Sequence, residues 1–472
     1  MCFWYTDPFL SLLNQFLNRL KILNLSYSVH LSTPPHFMGL PCLERIILEG
    51  CTSLVEVHQS IGHLDSLTLL NLEGCKSLKN LPESICYLKC LESLNISRCI
   101  NLEKLPDQLG DMEALTMLLA DGTAIERLPS SIGHLKNLSN LSLGGFKYDL
   151  SSVSWFSHIL PWLSPRISNP RALLPTFTGL NSLRRLDLSY CGLSDGTDLG
   201  GLSSLQELNF TRNKLNNLPN GIDRLPELQV LCLYHCADLL SISDLPSTLH
   251  SLMVYHCTSI ERLSIHSKNV PDMYLVNCQQ LSDIQGLGSV GNKPLIYVDN
   301  CSKLANNFKS LLQVLSPIFC LQSCSCTWIS KLCLLKTGIS FKGEHLDICL
   351  RDSEIPDWFS HRGDGSSISF YVPDSEIQGL IVWIVCGASE RRLPLPYASA
   401  TIRNKSKGVR LFHWSTFIPL YYSKPAYHSW VNYVTFSRLP CAMEGGEVVE
   451  LSVKITNGVV VDKCGVHLIS KE

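Results

Sequence analysis

The feature that most constrains this chain is one sentence written three times between Leu64 and His134: LDSLTLLNLEGCKSLKNLPESICY, LKCLESLNISRCINLEKLPDQLGD and MEALTMLLADGTAIERLPSSIGH. The shared frame is Leu-x-x-Leu-x-Leu-x-x-Cys-x-x-Leu, and the first Leu of its inner pair falls at Leu70, Leu94 and Leu118, 24 residues apart. One such unit is too small to bury its own apolar face, so units of this kind stack, at least about three deep, into a shared core.

Counting outward in both directions gives anchors at Leu23, Ile46, Leu70, Leu94, Leu118, Leu141, Leu186, Leu208, Leu231, Leu252, Met273 and Ile296. Neighbouring anchors lie 21 to 24 residues apart, apart from one gap of 45 between Leu141 and Leu186. This is a leucine-rich repeat. The fold class expected is an α/β leucine-rich-repeat solenoid, with parallel strands on the concave face and an irregular convex side, followed by an all-β sandwich or jelly-roll domain. Each anchor pair begins a strand whose alternate residues face in and out. The return path LPESI, LPDQL, LPSSI carries Pro82, Pro106 and Pro129, whose missing N–H excludes a regular ladder there.

Cys51, Cys75, Cys99, Cys191, Cys236, Cys257, Cys278 and Cys301 each sit five residues after an anchor, with Thr123 and Asn213 in the same place in two other units. Thiol, hydroxyl and amide share the ability to donate a hydrogen bond to the backbone of the turn, so the column reads as structural. Neighbouring members lie within disulfide reach if the units stack, which suits a reducing compartment.

The expected domains are residues 1–308, about twelve repeats with an irregular insertion near 144–183; a connector, 309–337; and residues 338–472. The last segment changes to short β-type runs such as GSSISFYVP, LIVWIVCG and VVELSVKI. Cys320, Cys324, Cys326 and Cys333 of the connector match no zinc-module spacing.

Lys+Arg 39 against Asp+Glu 41 leaves no cationic excess for nucleic acid as a main partner. The first 21 residues hold no cation before Arg19 and are interrupted by Asp7 and Pro8, a poor secretory signal, and no window approaches about 18 uninterrupted apolar residues. A soluble protein of the cytoplasm, and also of the nucleus, is expected, without a membrane span. No G-x-S-x-G, H-E-x-x-H, Walker-type or dinucleotide fingerprint occurs, so neither catalytic residues, metal nor cofactor is expected.

The repeats with DGTAI (Asp121 to Ile125) and LPSSI (Leu128 to Ile132), then EIPDWFSHRGDGSSISFYVP (Glu354 to Pro373) and KCGVHLI (Lys463 to Ile469), resemble the C-terminal half of plant TIR-NBS-LRR disease resistance proteins. The resemblance implies an intracellular immune receptor whose repeats and post-repeat jelly-roll domain recognise a pathogen effector or a guarded host protein and help hold the receptor inactive, through the TIR and nucleotide-binding modules. NAD cleavage belongs to the family's TIR domain, which this chain lacks, so a truncated receptor, a fragment or a repeat-only paralogue is expected.

The concave positions just before, after and three after each anchor nominate contact residues. The middle units offer Arg185, Asp187 and Glu207; the late units offer Tyr234, Met253, Tyr255, Tyr274 and Tyr297. Tyrosine and arginine are the residue types of interface hot spots. Trp358, Phe359 and Cys464 read as core of the last domain. Two rival readings are an extracellular receptor ectodomain, because sequons stand at Asn24, Asn95, Asn137, Asn140, Asn209, Asn300 and Asn404, and an enzyme with a dispersed site in the C-terminal domain.

Overall fold

The computed structural model describes residues 18–34, 36–145, 177, 179–193, 198–266, 269–285, 295–307, 345–350, 353–375, 377–387, 397–417, 427–435, 443–456 and 459–470. The chain forms two compact units, Met1–Ala237 and Asp238–Glu472.

Among its described residues unit 1 stacks nine short strands: β1 (Ile22–Asn24), β2 (Arg45–Ile47), β3 (Leu69–Asn71), β4 (Ser93–Asn95), β5 (Met117–Leu119), β6 (Asn140–Ser142), β7 (Arg185–Asp187), β8 (Glu207–Asn209) and β9 (Val230–Tyr234). All pair in parallel, and the anchors are in register from Leu23 opposite Ile46 to Leu208 opposite Leu231. The 45-residue gap leaves the ladder unbroken, because Leu141 pairs directly with Leu186. Most of the expected insertion, 146–176 and 178, lies outside the described residues.

Leucine spacing explains the core. In one turn Leu64, Leu67, Leu70, Leu72, Cys75 and Leu78 are all buried, so every leg of the coil contributes an inward side chain. On the convex side the chain returns through 3-10 turns at Phe37–Gly39, Gln59–His63, Glu83–Tyr87, Leu109–Asp111, Ser130–His134 and Ile222–Arg224. Pro82 and Pro129 stand at the N-caps of two of them, at φ −69° and −63°, where no N–H is needed. These turns sit close together: a Cβ at Gly62 or Gly110 would strike the carbonyl oxygen of Ser84 or Ser131.

Unit 2 opens with the last repeats. Here β10 (Ser241–Ile242), β12 (Arg262–Ser264) and β14 (Asp283–Gln285) alternate along the chain with β11 (Ser251–Tyr255), β13 (Asp272–Val276) and β15 (Leu295–Asp299). The two sets form separate parallel sheets, so in this unit the return limb is itself a short sheet and not the irregular path expected.

The remaining strands are β16 (His345–Leu350), β17 (His361–Asp364), β18 (Ser367–Tyr371), β19 (Ile377–Gly387), β20 (Tyr397–Asn404), β21 (Val409–Phe417), β22 (Tyr427–Thr435), β23 (Val448–Ile455) and β24 (Val460–Ser470). β16 runs parallel to β15 on one side and antiparallel to β22 on the other, and β22, β19, β24 and β17 follow in antiparallel order. A separate antiparallel sheet, β18-β23-β20-β21, lies across a shared core built from Val382, Ile384, Trp430, Ala400, Leu451 and their neighbours. The continuous apolar run Leu380–Cys386 is buried throughout, because β19 is covered on both faces.

The division between units falls at Ala237/Asp238. The pairing of β15 with β16 ties the last three concave strands to the C-terminal sheets, and the whole of the expected connector, 309–337, lies outside the described residues. Helix is sparse: the described residues add to the 3-10 turns only a short helix at 302–307.

Candidate recognition surface

On the concave face of unit 1 the inward leucines fix the backbone and leave the alternate side chains outside. Polar groups there bind each other from rung to rung. Asn95 donates to the Glu73 carboxylate at 3.2 Å, and Asn209 donates to Asp187 at 3.0 Å. The same side chains accept from the backbone leaving their strands, Ser97 N–H to Asn95 and Ser189 N–H to Asp187, which holds their rotamers. Arg185 Nε lies 3.0 Å from Glu207 Oε1, with the two side chains 61% and 48% exposed. An ion pair so open to water stabilises the fold by at most about 1 kcal/mol, so both groups are available to a partner. Tyr234 is half-buried at the end of β9.

The late tyrosines of unit 2 are placed differently. Tyr297 is fully buried, and with Val276 and Cys349 it belongs to the core between the C-terminal sheets. Its hydroxyl is 3.4 Å from His428 Nε2, and its ring stacks on that imidazole at 6.3 Å. Tyr297 is therefore a core residue and not an accessible contact. The physical reason is the β15–β16 pairing, which brings β22 and its His428 over the outward side of the last rung. Tyr274, 6.5 Å from Tyr297, and Tyr255 are half-buried against the same core; Met253 is half-buried on the next outward position.

The cysteine column is buried along its length. Cys75 Sγ donates to Leu48 O at 3.2 Å, Cys99 to Leu72 O at 3.1 Å, Cys191 to Leu143 O at 3.2 Å and Cys236 to Phe210 O at 3.3 Å. Cys51 reaches Leu25 O and Cys301 reaches Leu275 O, each a carbonyl of the preceding rung; Cys278 contacts Val254 O and Cys257 contacts Tyr255 O. Asn213 does the same work with an amide, bonding Leu188 O and Phe210 O. Burial pushes the Cys75, Cys99 and Cys191 thiols up to about 12, which suits donors and makes poor nucleophiles.

In the C-terminal sheets Phe359 and Cys464 are buried and Trp358 is half-buried. Phe359 meets Trp383 edge-on at 5.8 Å, closing the second face of β19, and Trp358 meets His467 edge-on at 5.1 Å. Burial, then the neighbouring His361, lowers the pKa of His467.

One column escaped the sequence reading. Four residues after the anchor the backbone turns left-handed: at Gly50, Gly74 and Gly122, but also at Tyr27, Arg98, Tyr190, Arg212, His235, His256, Asn277 and Asn300. The signal was present, since glycine and asparagine recur just before the Cys position and both tolerate positive φ. Tyr190 and Arg212 touch: the guanidinium lies 5.4 Å above the ring centroid.

Among the described residues no three metal-ligating side chains come together, and no helix is long and apolar enough to cross a membrane.

Residues 16–156 match the family model of a leucine-rich repeat region, and residues 87–282 match the leucine-rich repeats of disease resistance proteins of the RPS4B-like type. Over residues 87–282 the chain is similar to disease-resistance repeats. The chain is 30% identical over 283 residues to the disease resistance-like protein DSC1 of Arabidopsis thaliana, covering 58% of this chain and 20% of that protein. It is 28% identical over 366 residues to the disease resistance-like protein CSA1 of the same plant, covering 75% and 28%. The TMV resistance protein N of Nicotiana glutinosa is 36% identical over 150 residues, covering 31% and 12%. The chain thus spans well under a third of the length of the relatives it matches. Among solved structures, a leucine-rich repeat protein of Leptospira interrogans, LIC12759, is similar at 19% identity and a TM-score of 0.35, over 64% of this chain and 97% of that one. The match to disease-resistance repeats lies in the region that carries the concave columns.

Proposed function

We propose that this chain is the partner-recognition part of an intracellular plant immune receptor, reading a pathogen effector or a guarded host protein. The observation that carries the proposal is the rigid concave array of unit 1, where Arg185, Glu207, Asp187 and Asn209 stand outward on strands fixed by buried leucines. Such a surface changes specificity through outward residues while the core stays constant. In the resting receptor the same array contacts the nucleotide-binding module, which gives the autoinhibitory role. The antiparallel sheets of unit 2 serve as a jelly-roll cap on the last repeats.

The sequons and the thiols support the intracellular part of this reading. Asn404 is buried with its amide donating to Glu447 at 2.6 Å, and the amides of Asn95, Asn209 and Asn137 are likewise engaged, so glycosylation at these sites would break contacts of the fold. The buried thiols of the Cys column act as hydrogen-bond donors, which favours the reducing cytoplasm or nucleus over the secretory path.

The test is capture of effectors from a library by the whole chain in a two-hybrid format, compared with Arg185→Glu. Loss of a captured effector in the variant, at unchanged melting temperature, is the expected result. Equal capture by both forms would remove the concave face of β7 and β8 from the interface.

A further inference from the structure

The left-handed column described above is costly wherever it is not glycine. A side chain with a Cβ in that conformation is strained, most of all a bulky one, and glycine serves at three rungs of the same ladder. Strain of this kind is kept where a side chain does something its backbone does not need. In unit 1 the bulky occupants are Tyr27, Arg98, Tyr190, Arg212 and His235. On the neighbouring rungs β7 and β8, Tyr190 and Arg212 form a stacked pair at φ 59° and 58°.

The pair has the makings of a contact site. A Cβ at Gly145 would collide with the Tyr190 carbonyl, so the glycine gives room to the backbone that carries the tyrosine. Arg212 is exposed, and among the described residues it has no carboxylate partner. Asp187 is held by Asn209 and the Ser189 N–H. The exposed charge of this pair is therefore positive, on a preorganised guanidinium whose face already rests on an aromatic ring.

We propose that Tyr190 and Arg212 form a docking site on the rim of unit 1 for a carboxylate-rich segment of a partner protein. The guanidinium takes a Glu or Asp carboxylate side-on, as bidentate geometry favours, and Tyr190 fixes its plane. This rests on the reading of the chain as a recognition module and names a part of the surface, and a chemistry of partner, that the concave columns do not.

The test uses the full chain and a fluorescein-labelled peptide of alternating glutamate and glycine, followed by anisotropy at low salt. The wild-type chain binds it, and a lysine–glycine peptide of the same length does not compete. Tyr190→Gly/Arg212→Gly weakens binding at least about tenfold while melting no lower than the wild type, because glycine relieves the strain. Arg212→Lys, which keeps the charge and loses the planar fork, falls between the two. Failure of the wild type to bind the acidic peptide, or equal binding by the double-glycine variant, overturns the rim site. Neither result touches the concave-face reading, which stands or falls with Arg185→Glu in effector capture.

Discussion

At Arg98 the backbone sits at φ 60°, and the side chain makes only a 3.9 Å contact to Glu73 while 73% exposed. Replacing it by glycine removes strain of about 1 kcal/mol and an ion pair worth less, so Arg98→Gly is expected to raise the unfolding free energy by roughly 0.5 to 1 kcal/mol in urea titration. The converse holds at Gly74, φ 72°, where a Cβ would have room but the conformation would not suit it; Gly74→Ala is expected to lose about 1 kcal/mol. The buried thiols give a second prediction at this scale. Their pKa values in the fold, about 12 for Cys75, Cys99 and Cys191, lie above the ordinary 9.0, so their stabilisation is complete below pH 9 and is lost as pH rises toward 12. Each contributes a decline approaching about 1.4 kcal/mol per pH unit in that window, and Cys99→Ser, whose hydroxyl does not titrate there, flattens the curve. Residues also mark where reading the sequence stopped. The column of cysteines was visible because one chemistry repeats at one spacing. The left-handed column was not, because its residues share a backbone conformation and no side-chain chemistry.

Among the elements, the strands were the legible part. All twelve anchors, from Leu23 to Ile296, lie in strands, because each is held by leucines a few positions away in its own repeat. Local pattern determines a local element, and the double-length gap is no exception. Leu141 pairs with Leu186 across it. The convex turns are less forgiving. Gly110→Ala drives a Cβ into the Ser131 carbonyl, and a loss of about 2 kcal/mol is expected, larger than the change at Gly74 although Gly110 lacks positive φ.

For the molecule as a whole, periodicity told which side chains point outward but not what lies against them. Tyr297 occupies an outward position like Tyr274 one rung earlier, yet it is fully buried, with His428, 131 residues farther along the chain, against its ring and hydroxyl. A contact of that sequence separation leaves no trace in a 24-residue pattern. Tyr297→Ala is expected to cost about 3 to 5 kcal/mol, as for other large core truncations. Tyr297→Phe, which gives up only a long contact to His428, is expected to cost about 1 kcal/mol or less. Ending the chain at residue 307 leaves β15 without β16 and opens an apolar strand edge; the expected result is an aggregating product, seen by size-exclusion chromatography.

The join of β15 to β16 also bears on how such genes change. Tandem repeats gain and lose copies by unequal recombination, and a coil whose neighbours are interchangeable absorbs a copy anywhere. The rung ending at Asp299 is not interchangeable, because one of its edges is shaped to a strand that belongs to no repeat. Copy-number variation among genes of this kind is therefore expected to fall upstream of β11, with the last three rungs inherited as a block together with the sheets that follow them.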